Sequence, residues 1–198
     1  MKRLTTLVVL LIFVLSACTN NPKSNTISAV ELTERERAII STTSDKSFVF
    51  DFNIDSDYKE VSVWVEKYES GKLVNDAISS LITDVEGKGS IIFTTSKPDE
   101  DGKQQTFNIG ISGKSGMGSV SNFEDNLDDM ASVWDNLQGK NNPIEGELVL
   151  AYFGYSSDGR MSSLSIDFFE DPEGHMNELD KYDVAYLLKA KFTKTKGP

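Results

Sequence analysis

The sharpest spacing of chemically capable side chains in this sequence is Asp51-x-Asn53-x-Asp55-x-Asp57. Alternate oxygen ligands open a calcium-binding loop, because a hard cation gathers several oxygens at close range. The remainder of that loop is missing. Its sixth position is Ser56 where the sharp turn needs glycine, and its twelfth is Ser62 where a bidentate glutamate belongs. A strand projects outward residues at every second position and produces the same spacing without a metal. Calcium at Asp51, Asn53, Asp55 and Asp57 therefore stands as an expectation against the outward face of a strand.

The other chemical candidates are thinner. His175 is the single histidine, which leaves a zinc site without its usual companions, and it lies in a Pro/Gly turn with no G-x-S-x-G elbow anywhere to supply a partner serine. Gly113-Lys114-Ser115 has the end of a phosphate-binding loop, but Asn108 stands where its opening glycine is required. Paired carboxylates for glycoside cleavage need two acids across a cleft. Asp128-Asp129, Asp167, Glu170 and Asp171 all qualify by type, and spacing does not choose among them. Trp64, Tyr152, Phe153, Tyr155, Phe168 and Phe169 are expected mainly in the core and in cross-strand pairs. Trp64 stands apart because it opposes the Val61/Val63/Val65 face, which makes it the candidate ligand or partner surface.

The N-terminus has the parts of a secretory leader. Lys2 and Arg3 precede the apolar run Leu7–Leu15, which is followed by small residues and Cys18. A spanning helix needs about 20 apolar residues, and this run is about half as long. Leu15-Ser16-Ala17-Cys18 closely resembles the lipobox of bacterial lipoproteins. The resemblance covers only the leader. It implies cleavage before Cys18 and a covalent lipid on its thiol, so that residues 1–17 are a signal peptide. It also implies a chain held at the extracytoplasmic face of the cell membrane by that lipid. Cys18 is the only cysteine, so no intrachain disulfide can form, and lipidation removes a thiol that would be a liability outside the cell. Two acyl chains give stable anchoring where one is marginal. As a whole the sequence looks like the small acidic lipoproteins of low-GC Gram-positive bacteria, while Thr19 after the cysteine leaves the outer-membrane lipoproteins of Gram-negative cells open as the alternative.

Charge narrows the partners. Lys and Arg number 20 against 31 Asp and Glu, a net charge of −11. Removal of Lys2 and Arg3 with the leader leaves 18 against 31, or −13. Such a surface argues against nucleic acid and against lying on anionic lipid.

Residues 18–30 read as a lipidated flexible tether and 31–198 as a single domain, large enough to bury a core without disulfides. Thr33 and Glu36 have capping-box spacing for a short helix to Ile40. Strands are expected at Ser47–Asp55, with Phe48, Phe50, Phe52 and Ile54 on one face, and at Glu60–Tyr68, the two forming a hairpin. Leu73–Val85 fits either a helix or a strand. Ser90–Thr95 and Thr106–Ser112 form a second hairpin. Ser121–Gly139 reads as the best helix, with Phe123, Leu127, Met130, Trp134 and Leu137 on one face. Glu147–Tyr155 is apolar on both faces, as in a central strand. Ser163–Phe169 and Val184–Thr193 read as further strands. The expected fold is a mainly β, antiparallel sandwich or open barrel of about 7–8 strands with one or two short covering helices.

The functional expectation is a non-catalytic binding or interaction module of the cell envelope, its partner an envelope protein or a wall component. The alternatives are a wall-polymer hydrolase or transferase using paired carboxylates, and a calcium-stabilised structural module.

Overall fold

The computed structural model describes residues 24–97, 104–114, 116–125, 127 and 129–194. The expected leader and lipobox, with Cys18, lie outside the described residues, as do Asp128 and most of the turn after Ser96. Among the described residues no helix is long and apolar enough to cross a membrane.

The strands are β1 (Thr26–Ala29), β2 (Ser44–Asn53), β3 (Glu60–Glu69), β4 (Lys72–Asp84), β5 (Lys88–Ser96), β6 (Gln104–Gly113), β7 (Gly116–Asp125), β8 (Ala131–Asn136), β9 (Asn142–Pro143), β10 (Glu147–Ser156) and β11 (Val184–Thr193). Short helices α1 (Glu34–Ile40), α2 (Ile166–Glu170) and α3 (Pro172–His175) are joined by a 3₁₀ segment, Met176–Lys181. Two antiparallel sheets result. One runs β7-β6-β5-β2-β1-β9 and the other β4-β3-β11-β10-β8. The fold is therefore an antiparallel sandwich, with more strands than the sequence suggests and no closed barrel.

The core follows from period-two patterning. Phe50, Phe52, Ile91, Phe93, Phe107, Ile109 and Ile111 point inward from the six-stranded sheet. Val61, Val63, Val65, Phe153, Leu188 and Ala190 meet them from the other. Rings interlock edge-on across the gap, including Phe107 with Tyr186 at 5.0 Å and Phe48 with Phe153 at 5.5 Å.

Four expectations are corrected. Phe48–Ile54 and Val61–Val65 do not form a hairpin. β2 pairs with β1 and β5, β3 pairs with β4 and β11, and the Asp55–Lys59 link crosses between sheets. Two strands with apolar inner faces can satisfy a short link face to face as well as edge to edge. Ser121–Gly139 is no helix. Its ends belong to β7 and β8, because Ser121 is bonded across the sheet to Asn108, and Glu124 accepts from Lys67 and Tyr186. Ser163–Phe169 is no strand. Ser165 caps α2 through the Phe168 N–H, and Leu164 and Phe168, four apart, are buried while Ile166 is exposed. Finally, the tether gives way to structure at Thr26–Ala29, where Ile27 is fully buried in the six-stranded sheet. Lys72–Asp84 resolves as a strand. The capping box of Thr33 and Glu36 forms as expected, with the Thr33 N–H donating to Glu36 at 2.8 Å.

β10 is buried on both faces because α2, α3 and the 3₁₀ segment form a third layer over the outside of the five-stranded sheet. Tyr68, Val149, Tyr152, Phe168, Leu179, Tyr182 and Leu187 make this second core. The Tyr152 hydroxyl accepts the Leu164 N–H at 3.0 Å, and the Tyr182 hydroxyl donates to the Ser162 carbonyl. Gly154 is a point of close approach: a Cβ there would lie 2.6–2.8 Å from three atoms of the Tyr182 ring. Gly154→Ala is expected to cost about 1–3 kcal/mol by overpacking, because the ring is tethered at its hydroxyl. Urea unfolding with an unchanged midpoint would contradict this.

Candidate functional site

A concavity of about 560 Å³ lies on the outer face of the six-stranded sheet beside β1. Its floor is a grid set by strand register. Ser28 is paired with Asp51, Asp51 with Ser90, and Ser90 with Ser112, so one row of polar residues runs abreast across four strands. At about 4.8 Å between strands, that row is about 14 Å long. A second row joins Thr26, Asn53 and Lys88. Lys114 and Asn141 stand at the rim.

Several of these groups are already fixed. The Ser90 hydroxyl donates to Asp51 at 2.6 Å, and the Asn141 N–H donates to the Ser28 hydroxyl at 2.7 Å. Asn141 is in the left-handed region, with φ +57°, and this hydrogen bond holds it there. Lys114 forms an ion pair with Glu86 at 2.7 Å, both side chains largely exposed. That hydrogen bond, with the Lys114 charge, holds the Glu86 carboxyl below its ordinary value of 4.5.

The four residues of the calcium expectation do not converge. Asp51 and Asn53 line this cleft. Asp55 instead accepts from Asn25 at 2.6 Å and from the Asp57 N–H at 2.9 Å, and these two bonds lower its pKa. Asp57 is exposed and lies 4.0 Å from Lys194. Among the described residues no group of three or more His, Cys, Asp or Glu is placed to hold a metal. His175 Nδ1 lies 2.8 Å from the Asp171 carbonyl, one helical turn back, so it closes α3.

Trp64 lies where expected, on the outer face of the five-stranded sheet, half-buried. There it belongs to a charged cluster that spacing does not reveal. Glu66, 7% exposed, accepts from Trp64 Nε1 at 3.1 Å, the Tyr68 hydroxyl at 2.6 Å and Lys189 Nζ at 3.1 Å. Lys189 also lies 5.6 Å from the Trp64 ring centre and 3.1 Å from Glu147. Burial, then the bond to Glu66, pushes the Tyr68 phenol up. Tyr152, Phe153, Tyr155 and Phe168 are core, as their composition suggests.

A family model described as the YgaN domain matches residues 26–192. The chain belongs to the YgaN domain family. No curated protein and no solved structure matches it. The matched span begins at the first residue of β1 and ends one residue before the end of β11, so it covers the whole sandwich with its third layer.

The carboxylates of this YgaN domain whose pKa departs from its ordinary value all depart downward: Glu36, Asp55, Glu86, Glu147, Asp158, Glu178 and Asp183. They are ionised hydrogen-bond acceptors. Glu178 latches the third layer, accepting the Ser165 N–H at 2.8 Å together with its hydroxyl. Burial alone would raise it, but the Ser165 bonds and the Lys181 charge outweigh burial and hold it below 4.5. A carboxyl depressed on folding adds stability above its unfolded pKa and loses it as pH falls through the folded value. The domain's Tm is therefore expected to be flat from about pH 7 to 5.5 and to fall below about pH 4.5. Glu178→Gln should lower Tm at neutral pH and shrink the acid-side fall. An acid limb unchanged by Glu178→Gln would remove this latch from the explanation.

The cleft was missed in the sequence although its signature is there. Lys88-Gly89-Ser90 and Ser112-Gly113-Lys114 are mirror images, and an antiparallel pair lays mirrored triplets side by side.

Proposed function

We propose that this YgaN-family chain is a lipid-anchored, extracytoplasmic module of the cell envelope that binds a ligand and does not transform it. The observation that carries the reading is the position of the polar cleft. Its first strand begins at Thr26, eight positions after the lipobox-like Cys18. Fully extended, that length of chain reaches about 30 Å. A lipid on Cys18 would thus keep the cleft close to the membrane surface. The pre-positioned side chains of the cleft favour binding, because groups already held in place lose little freedom when a ligand arrives.

Feeding cells an alkyne-bearing palmitate tests the anchor. The whole chain should take up the label and sediment with membranes, and Cys18→Ser should abolish both. Cross-linking the chain in its own envelope tests binding and should yield one reproducible adduct, protein or wall polymer. Label retained by Cys18→Ser would overturn the anchor, and a cell that yields only monomer would overturn the binding reading.

A further inference from the structure

We propose that the cleft takes a phosphorylated polyol or sugar, its phosphate between Lys88 and Lys114 and its hydroxyls along the row Ser112, Ser90, Asp51 and Ser28. The inference rests on the binding reading above and assigns the ligand class.

The register is the first argument. Gly89 faces Gly113 and Ser90 faces Ser112, so the next step brings Lys88 and Lys114 to the same end of the β5–β6 pair. Like charges abreast on neighbouring strands are destabilising unless something negative sits with them. Glu86 relieves only Lys114, through a pair in which the side chains are 71% and 65% exposed. Such exposed pairs are weak and exchange readily. Lys88 has no ion pair among the described residues. Two lysines therefore line a cleft containing one carboxylate, Asp51, in a chain whose net charge is −11.

The rest of the lining selects what the anion is attached to. Beside the ring of Phe52, Gly89 and Gly113, the cleft offers hydroxyls, amides and one carboxylate, an acceptor and donor set suited to a ligand with hydroxyls along a carbon skeleton. The row of about 14 Å suits an extended ligand of a few units lying across the strands. No arginine lines the cleft, so the planar fork that best reads a carboxylate is missing. Two lysines approaching from separate strands act as point charges and can share the several oxygens of a phosphate.

The same chemistry is found in a membrane headgroup and in a soluble or wall-borne polyol phosphate, and one experiment separates the sources. The whole chain, reconstituted in phosphatidylcholine vesicles, is treated briefly with an acetylating reagent, and each lysine is read by mass spectrometry. Millimolar glycerophosphoglycerol should slow acetylation of Lys88 and Lys114 at least threefold and leave Lys72 unchanged. Glycerol alone should protect neither. The same protection in phosphatidylglycerol vesicles without the soluble probe would place the source in the headgroup. Lys88→Glu with Lys114→Glu, both at exposed positions, should abolish retention on a glycerophosphate resin without lowering Tm. Absence of protection in both vesicle types, equal protection by glycerol, or equal protection of Lys72 would each overturn the proposal. If the in-cell cross-link persists in that case, the ligand class fails and the binding reading stands. If both fail, both are lost.

Discussion

Phe153→Ala is expected to lower the unfolding free energy by about 3–5 kcal/mol. Phe153 is 2% exposed and belongs to β10 of the five-stranded sheet, yet its neighbours lie in the other. Its ring centre is 5.5 Å from Phe48, 5.6 Å from Phe93 and 6.4 Å from Phe107, which come from β2, β5 and β6. Truncation removes the apolar area of the ring and leaves a cavity whose walls are held by two hydrogen-bonded sheets, so collapse recovers little. Phe123→Ala is the control: that ring is 67% exposed, and surface truncations usually stay within about 0.5 kcal/mol. Urea unfolding should show a large fall in midpoint for Phe153→Ala with an unchanged slope. Equal midpoints for the two variants would mean that Phe153 does not join the sheets.

The second large effect concerns Glu66 and Lys189, whose side chains are 9% and 17% exposed. Lys189→Met should cost about 3 kcal/mol, because the Glu66 carboxylate loses its counter-charge and is left with only neutral donors. Glu66→Gln combined with Lys189→Met should recover most of that loss, since the Gln amide oxygen can still accept from Trp64 Nε1 and its NH₂ can donate to the Tyr68 hydroxyl. The double-mutant cycle should be strongly non-additive, whereas independent roles would give additive losses. The pair also has a pH signature. Burial pulls the Lys189 ammonium down, but the bonds and charges of Glu66 and Glu147 reverse this and raise it above 10.5. Its stabilisation is therefore present below the ordinary lysine value and is lost only as pH rises through the higher one.

Much of the sandwich was legible because its strands alternate cleanly. Phe48 to Ile54, Val61 to Val65 and Val184 to Phe192 each place the expected residues inward. What failed was local evidence overruled by partners distant in sequence. Ser121 and Glu124 imitate a helix cap, but both are bonded across strands, one to Asn108 and the other to Lys67 and Tyr186. Leu164, Ile166 and Phe168 imitate a strand in a window too short to separate a period of two from a pair four apart. Ile27 is one buried residue in a polar stretch, and four residues of β1 carry no period. The site was harder still. Trp64 could be placed on the outer face with Glu66 beside it, but Lys189 and Glu147, which complete the charged cluster, come from β11 and β10, more than 80 residues away. Of the cleft, Asp51 and Asn53 stood out for their spacing. Lys88, Ser90, Ser112 and Lys114 acquire meaning only once β5 and β6 are known to be antiparallel neighbours.

The place of β11 sets the order in which this molecule can be made. β11 is the last strand in sequence yet the middle one of the five-stranded sheet, lying between β3 and β10. Its register ties Thr193 to Glu60, and Glu147 to Lys191. Until residue 193 has emerged from the ribosome, β3–β4 and β8–β10 are separate ribbons, each with an open edge and one unclosed apolar face. Native closure must therefore wait for β11, and the many distant pairings make it slow. Loss of Val184–Thr193 alone would remove the strand that joins both halves.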